Sequence, residues 1–270
     1  MARLDQELVT RELARSRTHA AKLIAAGRVR LDGVPATKAA AQIAAGADLS
    51  VEADGGPEYV SRAGHKLAGA LARFPQVVVA GRRCLDAGAS TGGFTDVLLR
   101  QGAAHVAAVD VGHDQLVPEL RGDDRVDVYE GLNIRYMSAE DIGGPVDLTV
   151  CDLSFISLTL VIGPLARATR PGGDLLLMVK PQFEVGRERL ARTGVVASDH
   201  ERKRAVEQVV RAAVDHGLAL HGLGVSDLPG QDGNVEYFLW ATRIPSAAAH
   251  MIEERDVEHV LADVWPQGRP

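Results

Sequence analysis

Cysteine is scarce in this sequence, and its scarcity excludes two classes of protein. Only Cys84 and Cys151 are present, which is too few for a disulfide framework or for a cysteine-based metal site. Both lie beside apolar segments, so we expect them to be buried as small hydrophobic side chains. The nine histidines, His65 among them, show no metal-ligand spacing. We therefore expect a protein that works without a bound metal.

Long apolar runs are also missing. No stretch reaches the roughly 18–20 residues that a membrane-spanning helix needs, and residues 1–17 mix acids with bases, unlike a secretory signal. Hydrophobic residues still make up 46% of the chain, which is enough for a core in one large domain or two. We expect a soluble cytoplasmic protein, a monomer or a weak dimer, that does not act on membranes.

The net charge of −6 argues against a nucleic-acid partner, but the charges are unevenly distributed. Residues 1–38 contain eight bases and four acids, whereas the remaining residues contain 22 bases and 32 acids. A basic segment ahead of an acidic body is typical of a polyanion-binding module. The same pattern also fits a solvated surface. The cations that we expect to contact the phosphates of such a polyanion are Arg15, Arg17, Lys22, Arg28 and Arg30.

The basic segment has the pattern of a small α+β domain. Its first leucines have helical spacing, and Ser16 is a suitable N-cap for a second helix that ends before Gly27. The next residues alternate at strand period until Asp32-Gly33, which predicts a tight turn. Asp54-Gly55-Gly56-Pro57 is the best linker candidate.

From about residue 60, predicted strands alternate with predicted helices, which indicates a Rossmann-like α/β sheet covered on both faces. The last two strands follow each other directly, so the seven-stranded, mostly parallel sheet should end in an antiparallel hairpin. The predicted strands are 84–86, 105–110, 126–129, 146–151, 175–179, 219–225 and 235–240. The expected division is a domain at 1–56, a linker at 57–61 and a second domain at 62–270.

A glycine-rich turn joins the first of these strands to a helix, in the stretch LDAGASTGGFT from Leu85 to Thr95. Glycine lets the backbone approach a ligand closely, and the turn leads that ligand to a helix N-terminus. Asp110 ends the next strand, roughly 20 residues later, where a carboxylate accepts hydrogen bonds from ribose hydroxyls. The pattern predicts a nucleoside or nucleotide site.

The same turn favours S-adenosylmethionine over a dinucleotide. Ser90 stands where the second glycine of a dinucleotide motif belongs, and Asp86 would repel a pyrophosphate but attract the cationic methionine portion of S-adenosylmethionine. Asn133, just beyond the third strand, is either a hydrogen-bonding residue near the adenine or an ordinary turn residue. The predicted cofactor contacts are Asp86, Gly88, Ser90, Gly92, Gly93, Phe94, Asp110, Asn133 and Asp152.

Further polar residues stand at the ends of predicted strands. Asp152 ends the fourth strand and Lys180 ends the fifth. Because the carboxyl ends of strands line the ligand crevice of an open α/β sheet, we expect these two side chains to meet beside the cofactor. Lys66 and Glu236 lie in two other polar segments, SRAGHKL and NVEYF.

Together these segments resemble the TlyA family of bacterial ribosomal RNA 2′-O-methyltransferases, which are relatives of the FtsJ-like class I methyltransferases. The segments that carry the resemblance are 85–94, 152–155, 179–183 and 234–238. Residues 13–17 and 29–33 resemble an RNA-binding domain shared with a small-subunit ribosomal protein. The resemblance implies S-adenosylmethionine as cofactor, ribosomal RNA or a ribosomal subunit as partner, and a cytidine as target. The catalytic set that it implies is Lys66, Asp152, Lys180 and Glu236.

Such a set suits methylation of a ribose hydroxyl, which is a poor nucleophile until its proton is removed. We expect Lys180 to accept that proton, because the neighbouring cation Lys66 favours the neutral amine. Asp152 and Glu236 would then orient the two amines.

Three other functions remain as alternatives. A nucleotide-dependent oxidoreductase is disfavoured by Ser90 and Lys180. A non-catalytic RNA chaperone or ribosome-assembly factor is disfavoured by the complete catalytic set. A membrane-active, hemolysin-like protein is disfavoured because no basic amphipathic helix is visible.

Overall fold

The computed structural model describes residues 2–14, 16–25, 27–44, 46–51, 58–186, 188, 190, 193–230, 232–245 and 254–266. The chain divides into two compact units, Met1–Glu58 and Tyr59–Pro270. The linker candidate Asp54-Gly55-Gly56-Pro57 lies outside the described residues. Among the residues that are described, no helix is long and apolar enough to cross a membrane.

The N-terminal unit is a small α+β domain, as predicted. Its elements are β1 (Ala2–Arg3), α1 (Leu4–Thr10), α2 (Arg17–Ala25), β2 (Val29–Leu31), β3 (Val34–Pro35), β4 (Gln42–Ile43) and β5 (Leu49–Val51). β2 pairs with both β3 and β5, and β1 pairs with β4, all antiparallel. The turn between β2 and β3 needs positive φ at Asp32 and Gly33, 50° and 80°. Ser16 Oγ accepts a hydrogen bond from the His19 amide at 3.1 Å, as an N-cap does.

The second unit alternates strands and helices. Its strands are β6 (Arg83–Ala87), β7 (His105–Asp110), β8 (Val126–Glu130), β9 (Val146–Cys151), β10 (Thr169–Val179), β11 (Leu218–Val225) and β12 (Tyr237–Arg243). Its helices are α3 (Arg62–Arg73), α4 (Gly93–Arg100), α5 (Pro118–Arg121), α6 (Ile162–Ala168), α7 (Pro181–Glu184), α8 (Asp199–Asp215) and α9 (Glu254–Ala262).

These strands form one seven-stranded sheet in the order β11-β12-β10-β9-β6-β7-β8. The five strands from β10 to β8 are parallel, and β12 is antiparallel to both β10 and β11. The predicted mostly parallel sheet with an antiparallel edge hairpin is therefore confirmed. β7 and β8 extend the sheet on one side of β6, whereas β9 and β10 extend it on the other side. Such a switch point, here between β6 and β9, opens a ligand crevice at the carboxyl ends of the strands.

The core lies on both faces of the sheet, as β10 illustrates. Leu175, Leu177 and Val179 pack into the apolar cluster on one face, and Leu176 and Met178 pack into the cluster on the other. All five are at most 1% exposed. Successive strand residues point to opposite faces, so a strand covered on both sides needs an unbroken apolar run.

Both cysteines are free and buried in this core, as the sequence predicted. Burial raises the pKa of the Cys84 thiol to about 12. Burial also raises the pKa of the Cys151 thiol, so both residues act as small apolar side chains.

Helix α3 was not predicted from the sequence. Nine of its twelve residues are Ala, Leu, Arg or Lys, which favour helices, and its two glycines, Gly64 and Gly69, allow close packing against its neighbours. A Cβ added at Gly64 would lie 2.5 Å from the Tyr59 Cβ and 3.0 Å from the Gly93 carbonyl oxygen. This helix places Lys66 on a buried surface.

Candidate active site

Two neighbouring cavities open at the carboxyl ends of the parallel strands. The first, of about 450 Å³, is lined by residues that follow β6, β7, β8 and β9, and we call it the cofactor cavity. The second, of about 600 Å³, is lined by Lys66, Lys180 and Glu236 among others, and we call it the catalytic cavity. The segment Ser154–Ile156 lines both, so a group held in one cavity can face a group held in the other.

Asp110 shapes the cofactor cavity. Its Oδ2 accepts a hydrogen bond from the Ser90 amide at 2.8 Å, and its Oδ1 accepts one from the Gly112 amide at 2.7 Å. Ser90 holds a positive φ of 47° in the turn that follows β6. Each carboxylate oxygen has a second lone pair, so Asp110 can still accept hydrogen bonds from the hydroxyls of a ribose.

Gly88 lies in the same turn and admits no other residue. Its φ is +93°, and an added Cβ would lie 2.6 Å from the Asp152 carbonyl oxygen. Both Gly88 and Asp152 line the cofactor cavity. The absence of a side chain at this position therefore lets two strand ends approach each other beside the ligand space.

Asp86 is fully buried beneath the turn. Its Oδ2 accepts a hydrogen bond from Thr95 Oγ1 at 2.6 Å, while its Oδ1 has no hydrogen-bond partner among the described residues. Burial raises the pKa of this carboxyl to about 7. A buried oxygen without a partner fits a positively charged ligand group, although Asp86 itself is not part of the cavity lining.

The other predicted cofactor residues divide into two groups. Asn133 lines the cofactor cavity and also accepts the Arg135 amide at 3.0 Å, so it is a turn residue beside the ligand space. Gly92, Gly93 and Phe94 are not in the lining and instead position α4. A Cβ on Gly92 or Gly93 would lie 2.3 or 2.2 Å from a neighbouring side chain, and the Phe94 ring stacks in the core on an aromatic ring 6.2 Å away.

Two buried ion pairs join the four predicted catalytic residues. Lys180 Nζ lies 2.5 Å from Asp152 Oδ1, and Lys66 Nζ lies 2.5 Å from Glu236 Oε2. All four side chains are at most 15% exposed. The structure therefore brings together a residue of α3 and the residues that directly follow β9, follow β10 and precede β12, which are up to 170 positions apart. The described residues include no cluster of three or more potential metal ligands.

Two contact residues were missed at the sequence level. Gln182 Nε2 donates a hydrogen bond to Glu236 Oε1 at 3.1 Å, and Ser154 Oγ accepts one from Lys180 Nζ at 3.2 Å. Each lies two positions from a predicted catalytic residue, which is the only signal that the sequence offers. Glu236 is thus held through both of its oxygens, and Lys180 has two acceptors within reach.

In the N-terminal unit, the predicted RNA contacts have different surroundings. Arg17 is 56% exposed and donates to Asp5 at 3.1 Å; hydrogen bonds from Arg3 and Arg17 hold the pKa of the Asp5 carboxyl well below its usual range. The Arg28 side chain is only 16% exposed, and its Nη2 lies 3.6 Å from Glu58 Oε1.

Arg30 donates a hydrogen bond to the Gly33 carbonyl at 3.2 Å and is half-buried. Arg15 and the side chain of Lys22 lie outside the described residues. Of the candidates whose side chains are described, Arg17 is therefore the most accessible to a phosphate.

Comparison with known families matches residues 59–243 to the FtsJ-like methyltransferases and residues 2–49 to the S4 domain. The chain is 54% identical over 239 residues to the 16S/23S rRNA (cytidine-2′-O)-methyltransferase TlyA of Mycobacterium tuberculosis, covering 88% of this chain and 89% of that protein. A candidate rRNA methyltransferase of Bacillus subtilis, YqxC, is 40% identical over 239 residues, 88% and 84% of the two chains. A solved structure of a hemolysin candidate from Streptococcus thermophilus is similar with a TM-score of 0.72 at 36% identity, covering 97% of this chain and 96% of that chain.

Proposed function

Because the chain belongs to the FtsJ-like methyltransferases and, within them, to the TlyA family, we propose that it methylates a ribose 2′-hydroxyl of ribosomal RNA. The target is a cytidine, as the name of the Mycobacterium tuberculosis relative states for that protein. The observation that carries the proposal is the meeting of Lys66, Asp152, Lys180 and Glu236 beside a cavity of nucleoside size.

The residues of the cofactor cavity fit S-adenosylmethionine, which supplies an activated methyl group when bound. Asp110 accepts hydrogen bonds from the ribose hydroxyls through its remaining lone pairs. Asp86 lies buried beneath the turn with one oxygen, Oδ1, that has no hydrogen-bond partner among the described residues, and a cationic methionine portion bound nearby favours its ionised form. Gly88 lets the backbone approach the ligand without a side chain in the way.

The catalytic cavity supplies the proton acceptor. Lys180 in its neutral form takes the proton of the ribose hydroxyl, and the carboxylate of Asp152, 2.5 Å away, stabilises the ammonium that forms. Lys66 is held by Glu236 and donates a hydrogen bond that orients the ribose. The proton then leaves from Lys180 to solvent, which restores the neutral amine for the next turnover.

RNA anchoring belongs to the N-terminal part of the chain in this proposal. Residues 1–56 form the RNA-binding domain and residues 62–270 the catalytic domain, joined by a linker at 57–61. The excess of bases in residues 1–38 makes binding weaken as salt rises, because each phosphate contact releases counterions. An rRNA substrate places the activity in the cytoplasm, on free RNA or on ribosomal subunits.

Transfer of labelled methyl groups tests the proposal. The purified protein is incubated with methyl-labelled S-adenosylmethionine and ribosomal subunits or rRNA from cells that lack its gene, and the RNA is digested to nucleosides. We expect the label in 2′-O-methylcytidine, and none with the Lys180→Ala variant. Label on a base, or no transfer to either substrate, contradicts the proposed function.

A further inference from the structure

The wall between the two cavities is a three-residue segment with unusual geometry. Ser154, Phe155 and Ile156 line both cavities. Phe155 is 91% exposed and has a φ of +64°, a left-handed conformation that large side chains rarely adopt. Contacts on either side must therefore hold this segment in place.

One end of the wall is held from the catalytic residues. Lys180 Nζ contacts Asp152 Oδ1 at 2.5 Å and donates to Ser154 Oγ at 3.2 Å. Both acceptors belong to the segment that follows β9. The start of the wall is thus tied to the residue that we propose as the proton acceptor.

The other end is held by Glu184, a buried carboxylate that the mechanism above does not use. Its Oε2 accepts a hydrogen bond from Ser157 Oγ at 2.5 Å, and its Oε1 accepts one from the Leu158 amide at 2.8 Å. Glu184 is 8% exposed and ends α7, the helix that starts directly after Lys180. Residues at the two ends of α7, Lys180 and Glu184, therefore hold the two ends of the wall.

We propose that Glu184 is a positioning residue for methyl transfer, which it serves by fixing the wall between the cofactor cavity and the catalytic cavity. The methyl group and the ribose oxygen must meet where the two cavities adjoin, and a displacement of about 1 Å lowers a transfer rate by about 100-fold. Glu184 accepts two hydrogen bonds, from two successive residues of the loop, and so fixes both the side chain of Ser157 and the backbone of Leu158. This inference rests on the proposed methyltransferase function.

Glu184→Ala and Glu184→Gln separate positioning from general stability. Glutamine preserves the shape: its amide oxygen accepts from the Leu158 amide, and its amide nitrogen donates to Ser157 Oγ. Asp174→Ala is the matched control. Like Glu184, Asp174 is a buried carboxylate, 6% exposed, but it lies in β10 and accepts its hydrogen bonds from Arg82 and from the Trp240 indole. It lines neither cavity.

The measurement is the single-turnover rate of methyl transfer per folded enzyme, at saturating S-adenosylmethionine and rRNA, beside a thermal melting curve. We expect a fall of about 10- to 100-fold for Glu184→Ala and a rate within a few-fold of wild type for Glu184→Gln. Asp174→Ala should melt earlier and keep the wild-type rate. If Glu184→Ala does not fold, Ser157→Ala removes one of the two hydrogen bonds and should still slow transfer several-fold.

An active wild-type enzyme together with unchanged rates in the folded Glu184→Ala or Ser157→Ala variant would overturn this inference and leave the proposed function intact. A loss of rate in Asp174→Ala equal to that in Glu184→Ala would also overturn it, because the effect would then be general. A wild-type enzyme that transfers no methyl group overturns both.

Discussion

Removing one partner of the buried Lys66–Glu236 pair should destabilise the protein more than removing both. Nζ and Oε2 are 2.5 Å apart, and the two side chains are 10% and 3% exposed. At an effective dielectric constant of about 20, the attraction at this distance is about 7 kcal/mol. Burying the two ions costs several kcal/mol each. The pair therefore adds little net stability, whereas a single remaining ion keeps its desolvation cost without the attraction.

We expect Glu236→Leu to lower the free energy of unfolding of the second unit by about 3–5 kcal/mol, and Lys66→Met to act similarly. For a unit of this size, about 1 kcal/mol corresponds to roughly 2–4 °C in melting temperature, so each single variant should melt about 6–20 °C below wild type. The double variant should recover most of that loss, because it leaves no buried charge.

Denaturation by heat or urea, followed by circular dichroism, provides the double-mutant cycle. All three variants should fail to transfer methyl groups, because each lacks part of the catalytic set. A single variant as stable as wild type would refute the reasoning. So would a double variant whose loss equals the sum of the two single losses, because the pair would then have no coupling energy.

Other substitutions test other parts of the account. Gly88→Ala should lower S-adenosylmethionine affinity in calorimetry more than ten-fold, since the new Cβ meets the Asp152 carbonyl; Gly81→Ala, also at positive φ but with open space around it, should keep wild-type affinity. The folded-state pKa of Asp86 is raised to about 7, so its contribution to stability falls as pH rises from about 4 to about 7. Over that range the free energy of unfolding of Asp86→Asn should rise relative to that of wild type. A difference in unfolding free energy that does not change with pH would contradict the raised pKa. Arg17→Ala should weaken rRNA binding and make the slope of log affinity against log salt concentration shallower by about one. An unchanged slope would remove Arg17 from the interface.

The strands could be predicted closely where apolar runs end at clear turn residues. β7 and β9 lie at the predicted positions. β10 instead begins at Thr169, six residues before its predicted start, because Pro171, Gly172 and Gly173 form a turn-like sequence inside a strand. The register shift between Thr169 and Asp174 accommodates them.

The candidate site, too, could be predicted only in part from the sequence. Glycine spacing and strand ends are local signals, so the turn at Gly88 and the acids Asp110 and Asp152 could be located from the sequence. The pairing of Lys66 with Glu236 spans 170 positions and joins α3 to the residue before β12, so local residue patterns alone could not predict it. The contacts of Glu184 to the loop after β9 depend on side-chain orientation, for which the sequence has no signal.

The most direct test of the central claim is single-turnover methylation of the rRNA substrate by the Lys180→Arg variant across pH. Arginine keeps the positive charge beside Asp152 but does not lose its proton in proteins, so it separates proton acceptance from electrostatic positioning. S-adenosylmethionine affinity and the melting temperature, measured on the same sample, establish that the variant is folded. We predict that transfer is abolished at every pH while cofactor affinity stays near that of wild type. A rate within a few-fold of wild type would contradict proton acceptance by Lys180.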